Sequence, residues 1–288
     1  MPTTTLLKVP SSCVLSSRLT PGTNYDSSPV IVLSNPLCAP LASWDHVVPA
    51  LVSLGFQVLC YDQPGHGSST APDDLSSTTF NSLAKDVKAL LDNHRIRTVH
   101  AWVGVSMGAA TGIVFAATYP GVIKRLIGCD TISCSPVNAG TEDLFASRVA
   151  EARRLGIMFN VTTTMERWFG RQWINDNDAE ARRLQAMMLR TTNDGFETCC
   201  YALRSESFDL RPLVEDAGKG VERALLLVGE KDANLPESMK ELRHGLEQGL
   251  KKNNPDASVE LKVIQGAGHV CYIDGFEQFI EVITEFLT

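Results

Sequence analysis

Short apolar runs rich in β-branched residues recur along the first half of the chain, set off by turn residues and by segments whose apolar positions return every three to four residues. Residues 4–20 predict an antiparallel hairpin, and the Pro, Gly, Asn, Asp and Ser of 21–28 a connector. Strands are expected at 29–34, 56–61, 99–105 and 122–129. Helices are expected between them at 44–54, at 80–93, where Leu83, Val87, Leu90 and Leu91 share a face, and at 107–119, which is apolar throughout and stops before Pro120. Strands alternating with helices imply a parallel sheet covered on both faces.

The alternation breaks between Ser133 and Pro212. Amphipathic helical patterns at 142–155, 162–173, 178–190 and 195–205 follow one another there with no strand between them. The alternation resumes with a strand at 224–228, a helix at 236–250, a strand at 259–264 and a helix at 276–287. The pattern predicts an α/β core in two parts, 1–132 and 213–288, with a helical cap inserted at 133–212.

One junction carries chemistry. Val99–Val105 leads into Ser106, with Gly104 and Gly108 on either side, and a helix begins at Met107. A G-x-S-x-G sequence between a strand and a helix is a turn so tight that small flanking residues are required, and it lifts the serine hydroxyl clear of the sheet. A serine hydroxyl needs a base, and the base a group that orients it. In a parallel sheet such groups gather at the carboxyl ends of strands. Asp232 follows the strand at 224–228 and His269 follows the strand at 259–264, so the order along the chain is Ser106, Asp232, His269. Asp130, just past the strand at 122–129, competes for the acid's role. His66, in the turn Pro64-Gly65-His66-Gly67, reads as a brace on neighbouring backbone. His46, His94, His100 and His244 read as structural or solvated. Oxyanion donors are expected from the backbone N–H of Met107, at a helix start, and of Leu37, in the loop after the strand at 29–34. Trp168, Phe169 and Trp173 form an aromatic group that either lines a pocket or packs cap helices together.

Composition narrows the picture. A net charge of −7 without a basic cluster argues against nucleic acid or an anionic membrane as a partner. The eight cysteines show no metal spacing, and no phosphate loop or dinucleotide fingerprint appears, so neither metal nor cofactor is expected. No signal-peptide pattern and no run of membrane-spanning length is found, which makes a cytoplasmic location the expectation and leaves the cysteines reduced. The expected partner is a small molecule; monomer and homo-oligomer stay equally open.

The stretches VIVLSNPLCAPLASW, YDQPGHGSS, WVGVSMGAATGIVFAATYP, LLLVGEKDANLP and GAGHV resemble the α/β-hydrolase superfamily, and within it the 3-oxoadipate enol-lactonase-like group. Ser34-Asn35-Pro36-Leu37 is similar to the lactonases' serine-asparagine-serine-leucine stretch, and Arg167-Trp168-Phe169 and Cys199-Cys200-Tyr201-Ala202 to stretches of their cap. The resemblance implies a Ser106, Asp232 and His269 triad, oxyanion donors Leu37 and Met107, and cofactor-free hydrolysis of a small ester or lactone. Pro36, Cys38, Pro64 and the longer loop at 251–256 depart from the group. Such a site also supports C–C bond cleavage, thioester hydrolysis or cofactor-free haloperoxidase chemistry, and the fold also serves ligand receptors.

Overall fold

Consecutive Val, Ile and Leu suit a strand covered on both faces. The computed structural model, which describes residues 2–23 and 28–288, shows this at the centre of the sheet. The strands are β1 (Thr3–Lys8), β2 (Val14–Thr20), β3 (Val30–Ser34), β4 (Gln57–Tyr61), β5 (Val99–Val105), β6 (Ile123–Cys129), β7 (Arg223–Gly229) and β8 (Glu260–Ile264). They form one sheet in the order β1-β2-β4-β3-β5-β6-β7-β8. β1–β2 and β2–β4 are antiparallel; every other pair is parallel. The central β3 and all of β5 except His100 are buried, whereas the edge strand β8 is mostly accessible.

Helices α1 (Val47–Ser53), α2 (Phe80–Asn93) and α3 (Met107–Thr118) join the first parallel strands. The helix expected from residue 44 is split: Leu41–Trp44 is a 3₁₀ turn, and α1 begins only at Val47. This start places Pro49 in the first turn, where its missing N–H leaves no bond unmade. α3 shows no amphipathic stripe because Met107 to Ala116 is buried on every side.

Between β6 and β7 lie α4 (Pro136–Ala139), α5 (Leu144–Leu155), α6 (Ile157–Asp176), α7 (Asp178–Met188), α8 (Asn193–Arg204) and α9 (Val214–Lys219). The two ends of the helical segment meet in a bridge between Cys134 and Asp209, flanked by Ser135 N–H to Phe208 O at 2.9 Å and Leu210 N–H to Ser133 O at 2.8 Å. α10 (Leu235–Lys251), α11 (Cys271–Asp274) and α12 (Phe276–Leu287) complete the chain. α2, α3, α9 and α10 pack as neighbours in one layer, and α1 meets α12. The short helices α4, α9 and α11 lack the length for a readable period and were not expected. The connector expected at 21–28 lies partly outside the described residues. All eight cysteines are free and buried, several of them as small hydrophobes in the sheet. No helix among the described residues is long and apolar enough to cross a membrane.

The sheet reserves space for the turn after β5. A Cβ on Gly108 would stand 2.1 Å from the carbonyl oxygen of Ser34, and one on Gly104 would stand 2.3 Å from that of Gly108. Backbone lies in both directions, so neither side can yield cheaply. Gly108→Ala is expected to lower stability by about 2–3 kcal/mol, measured as the shift in the urea unfolding free energy.

Candidate active site

The parallel strands end on one side of the sheet, and their C-terminal loops bring Leu37, Ser106, Asp130, Asp232 and His269 to a single cavity of about 490 Å³. Ser106 occupies the junction of β5 and α3 at φ 54° and ψ −117°, a region that non-glycine residues avoid. Its N–H donates to Cys129 O at 2.8 Å, and its carbonyl accepts from the amides of Ala109 and Ala110, each at 3.0 Å. The Trp102 indole N–H donates to Gly108 O at 3.0 Å and steadies the first turn of the helix. Cys38, Asp130 and Ala233 also have positive φ, so among the described residues four of the six non-glycine positions of this kind line the cavity. Each costs on the order of 1–3 kcal/mol and persists only where its surroundings enforce it.

His269 Nδ1 donates to Asp232 Oδ2 at 2.8 Å, with the two side chains 19% and 13% exposed. With the proton on Nδ1, Nε2 carries the lone pair. Their loops are tied together: Lys231 N–H donates to Ala267 O at 2.8 Å, and Gly266 N–H to Glu230 Oε2 at 2.9 Å. Gly268 N–H donates to Asp274 Oδ2 at 2.7 Å, and burial pushes the Asp274 carboxyl up to about 6. A serine hydroxyl, an imidazole and a carboxylate at one cavity can carry out nucleophilic attack with general-base assistance.

The loop after β3 is held by the turn after β4. His66 is buried; its Nδ1–H donates to Pro64 O at 2.9 Å, and its Nε2 accepts from Cys38 N–H at 3.0 Å. Both ring nitrogens are occupied, and burial lowers the imidazole to about 4, so the ring stays neutral. Asp62 Oδ1 accepts from Leu41 N–H at 2.7 Å, and Asn35 is fixed by Tyr61 O at 2.8 Å and the Trp44 indole N–H at 2.6 Å. Among the described residues, the Leu37 N–H has no acceptor. That of Met107 sits at the first helical position, where the helix offers none.

The inserted helices form the far wall. Of the three aromatic residues singled out in the sequence, only Trp168 lines the cavity, while Phe169 and Trp173 stack on each other with ring centroids 4.3 Å apart. The Trp168 and His269 rings lie 5.8 Å apart, and Trp168 O accepts from His269 N–H at 3.4 Å. Gly268 makes this approach possible, since a Cβ there would stand 1.9 Å from Trp168 O. The Trp168 indole N–H is buried and has no acceptor among the described residues. Arg148 and Arg167, whose role the sequence reading missed, also line the cavity. Arg148 lies over the Phe145 ring at 5.3 Å, and neither arginine is in an ion pair among the described residues. Arg167 is exposed to water and lines the cavity. Loss of bulk solvent and the nearby Arg148 lower it to about 10, and poor solvation lowers Arg148 as well. Among the described residues, no group of three or more His, Cys, Asp or Glu side chains is arranged to hold a metal ion.

A model of the alpha/beta hydrolase fold matches residues 29–276. 3-Oxoadipate enol-lactonase 2 of Acinetobacter baylyi is 28% identical over 204 residues, which is 71% of this chain and 72% of that protein. 3-Oxoadipate enol-lactonase 1 of the same organism is 31% identical over 182 residues, 62% of this chain and 64% of that one. Among solved structures, the enol-lactonase from Burkholderia xenovorans LB400 superposes with a TM-score of 0.84 at 27% identity, covering 98% of this chain and 99% of that chain.

The brace under the Leu37 loop has a stability signature. His66 is depressed from 6.5 to about 4 in the folded chain, so its contribution is present above pH 6.5 and is lost as the pH falls toward 4. The loss is expected to be about 3 kcal/mol. It should register as a stability advantage over His66→Gln that is largest at pH 7 and shrinks toward pH 4 in urea unfolding.

Proposed function

We propose that this chain, which belongs to the alpha/beta hydrolase fold family and is a carboxylic ester or lactone hydrolase, opens a small anionic lactone or ester through an acyl-serine intermediate. The observation that carries this reading is the His269–Asp232 pair opening onto the same cavity as Ser106, a cavity also lined by Arg148 and Arg167, which form no ion pair among the described residues. The enol-lactonases among its relatives support the same class of bond.

In this reading His269 Nε2 takes the Ser106 proton as Oγ attacks the carbonyl carbon. The carbonyl π electrons move to oxygen, and the amides of Leu37 and Met107 receive the oxyanion. Collapse restores the carbonyl and breaks the bond to the ring or alcohol oxygen, which takes the proton from His269. An enol oxygen leaves more readily than an alkoxide because its charge is delocalised. Water, deprotonated by His269, then attacks the acyl carbon; collapse breaks the bond from that carbon to Oγ, which takes the proton back from His269, and the carboxylic acid is released. Asp232 holds the imidazole in its working tautomer and stabilises the imidazolium. The helices from 133 to 212 act as a cap that keeps bulk water away. Arg148, Arg167 and the Trp168 N–H orient the substrate's anionic group and supply the charge compensation the wall lacks.

Ser106→Ala should lower turnover by roughly a factor of 10⁶ and, like His269→Ala, abolish the mass increase caused by a fluorophosphonate. Labelling that survives Ser106→Ala would refute the assignment. Arg167→Met is expected to raise KM for anionic enol-lactones about 30-fold, equivalent to one charge-assisted contact of about 2 kcal/mol, and to leave KM for neutral p-nitrophenyl esters nearly unchanged. An equal effect on both substrates would remove the anion from the proposal.

A further inference from the structure

The mechanism leaves one carboxyl group without a task. Asp130 follows β6, is fully buried at φ 48°, and lines the cavity with Ser106, Asp232 and His269. Its neighbours connect two halves of the site. Cys129, immediately before it, supplies the carbonyl that receives the Ser106 N–H. Its Oδ1 accepts from Gly229 N–H at 2.7 Å, and the carbonyl of that same glycine receives the Asp232 N–H at 3.1 Å. The Asp130 amide donates to Leu227 O at 3.1 Å and completes the attachment to β7.

We propose that Asp130 is a positioning residue whose carboxyl group, held uncharged, locks the turn bearing Asp232 to the strand end that seats Ser106. The proposal rests on the reading of Ser106, Asp232 and His269 as a triad. The titratable groups facing Asp130 are Cys129 on its own strand, Asp232 from the turn after β7, and Cys271 from the segment after His269. None is a cation, and among the described residues Asp130 is in no ion pair. A buried carboxylate whose side-chain contacts are the Gly229 N–H and the Cys271 thiol, with a second carboxylate for a neighbour and no cation, is relieved by taking up a proton. Burial first, then Cys271 and Asp232, push the carboxyl well above its usual range.

The uncharged acid keeps Oδ1 as an acceptor for Gly229 and leaves a single negative charge, that of Asp232, to face His269. It also turns Oδ2, which is buried and without a partner among the described residues, into a donor at the cavity wall.

An amide can replace a neutral carboxyl but not a charged one, so Asp130→Asn and Asp130→Ala decide the matter. The full-length chain and both variants would be compared by Tm from pH 4 to 8 and by the rate of fluorophosphonate labelling at pH 7. Because the folded group holds its proton above the unfolded value of 3.8, wild type loses stability as the pH rises, and Asp130→Asn does not. The Tm of Asp130→Asn minus that of wild type should therefore widen as the pH rises above 4, until the folded carboxyl itself ionises. Labelling of Asp130→Asn should stay close to wild type, and that of Asp130→Ala should fall roughly ten- to a hundred-fold with an intact circular dichroism spectrum. A Tm gap that does not change with pH, or an Asn variant as slow as the Ala variant, would overturn the proposal. If wild type fails to label at all, the triad reading is at fault. The Tm gap, which needs no reaction, still tests the charge on Asp130, and the cost of Asp130→Ala in Tm still tests the lock.

Discussion

The backbone of Ser106 is held where an L-residue does not rest, and much of the site is arranged to keep it there. Its N–H is secured by the carbonyl of Cys129 in the neighbouring strand, and its own carbonyl starts α3. Gly104 and Gly108 leave the only space in which that helix can begin. The distortion places Ser106 at the cavity, directly before the first helical N–H of Met107.

Much of this was legible in the sequence because it depends on local rules. β5 and α2 fall at the residues expected, since a β-branched run and a 3.6-residue period are properties of neighbouring positions. Asp232 and His269 were readable from their places just after apolar runs, and the structure joins them at 2.8 Å. His66 braces backbone, as its turn suggested. Arg148 and Arg167 were not distinguishable from the other arginines of the helical segment. Arg153, Arg183 and Arg204 pair with carboxylates, and only the assembled fold shows which arginines do not. The same limit applies to Trp168, Phe169 and Trp173. They are adjacent in sequence, but the helix turns one toward the cavity and stacks the other two on each other.

The charges around the cavity are unevenly supported. On the sheet side Asp232 has His269, Asp62 has the amides of Leu41 and Ser68, and Asp274 has that of Gly268. On the side of the inserted helices, among the described residues, Arg148 and Arg167 are in no ion pair and the Trp168 indole N–H has no acceptor. Unmet donors cost free energy in the empty protein, and that cost is recovered when an acceptor arrives.

Among the contacts between the two sides, the bond from His269 N–H to Trp168 O across Gly268 reaches the imidazole's own backbone. It limits how such a protein can be altered. In many modular designs a binding segment can be exchanged without disturbing the scaffold beneath it. Here the residue at the wall of the binding space is also a rest for the backbone of the imidazole. Transplanting a foreign helical segment would therefore reseat that imidazole along with the binding wall. Variants that change substrate range through the helices are constrained to carry the Trp168 carbonyl back to the same point, so this one peptide oxygen is a fixed boundary for both evolution and engineering.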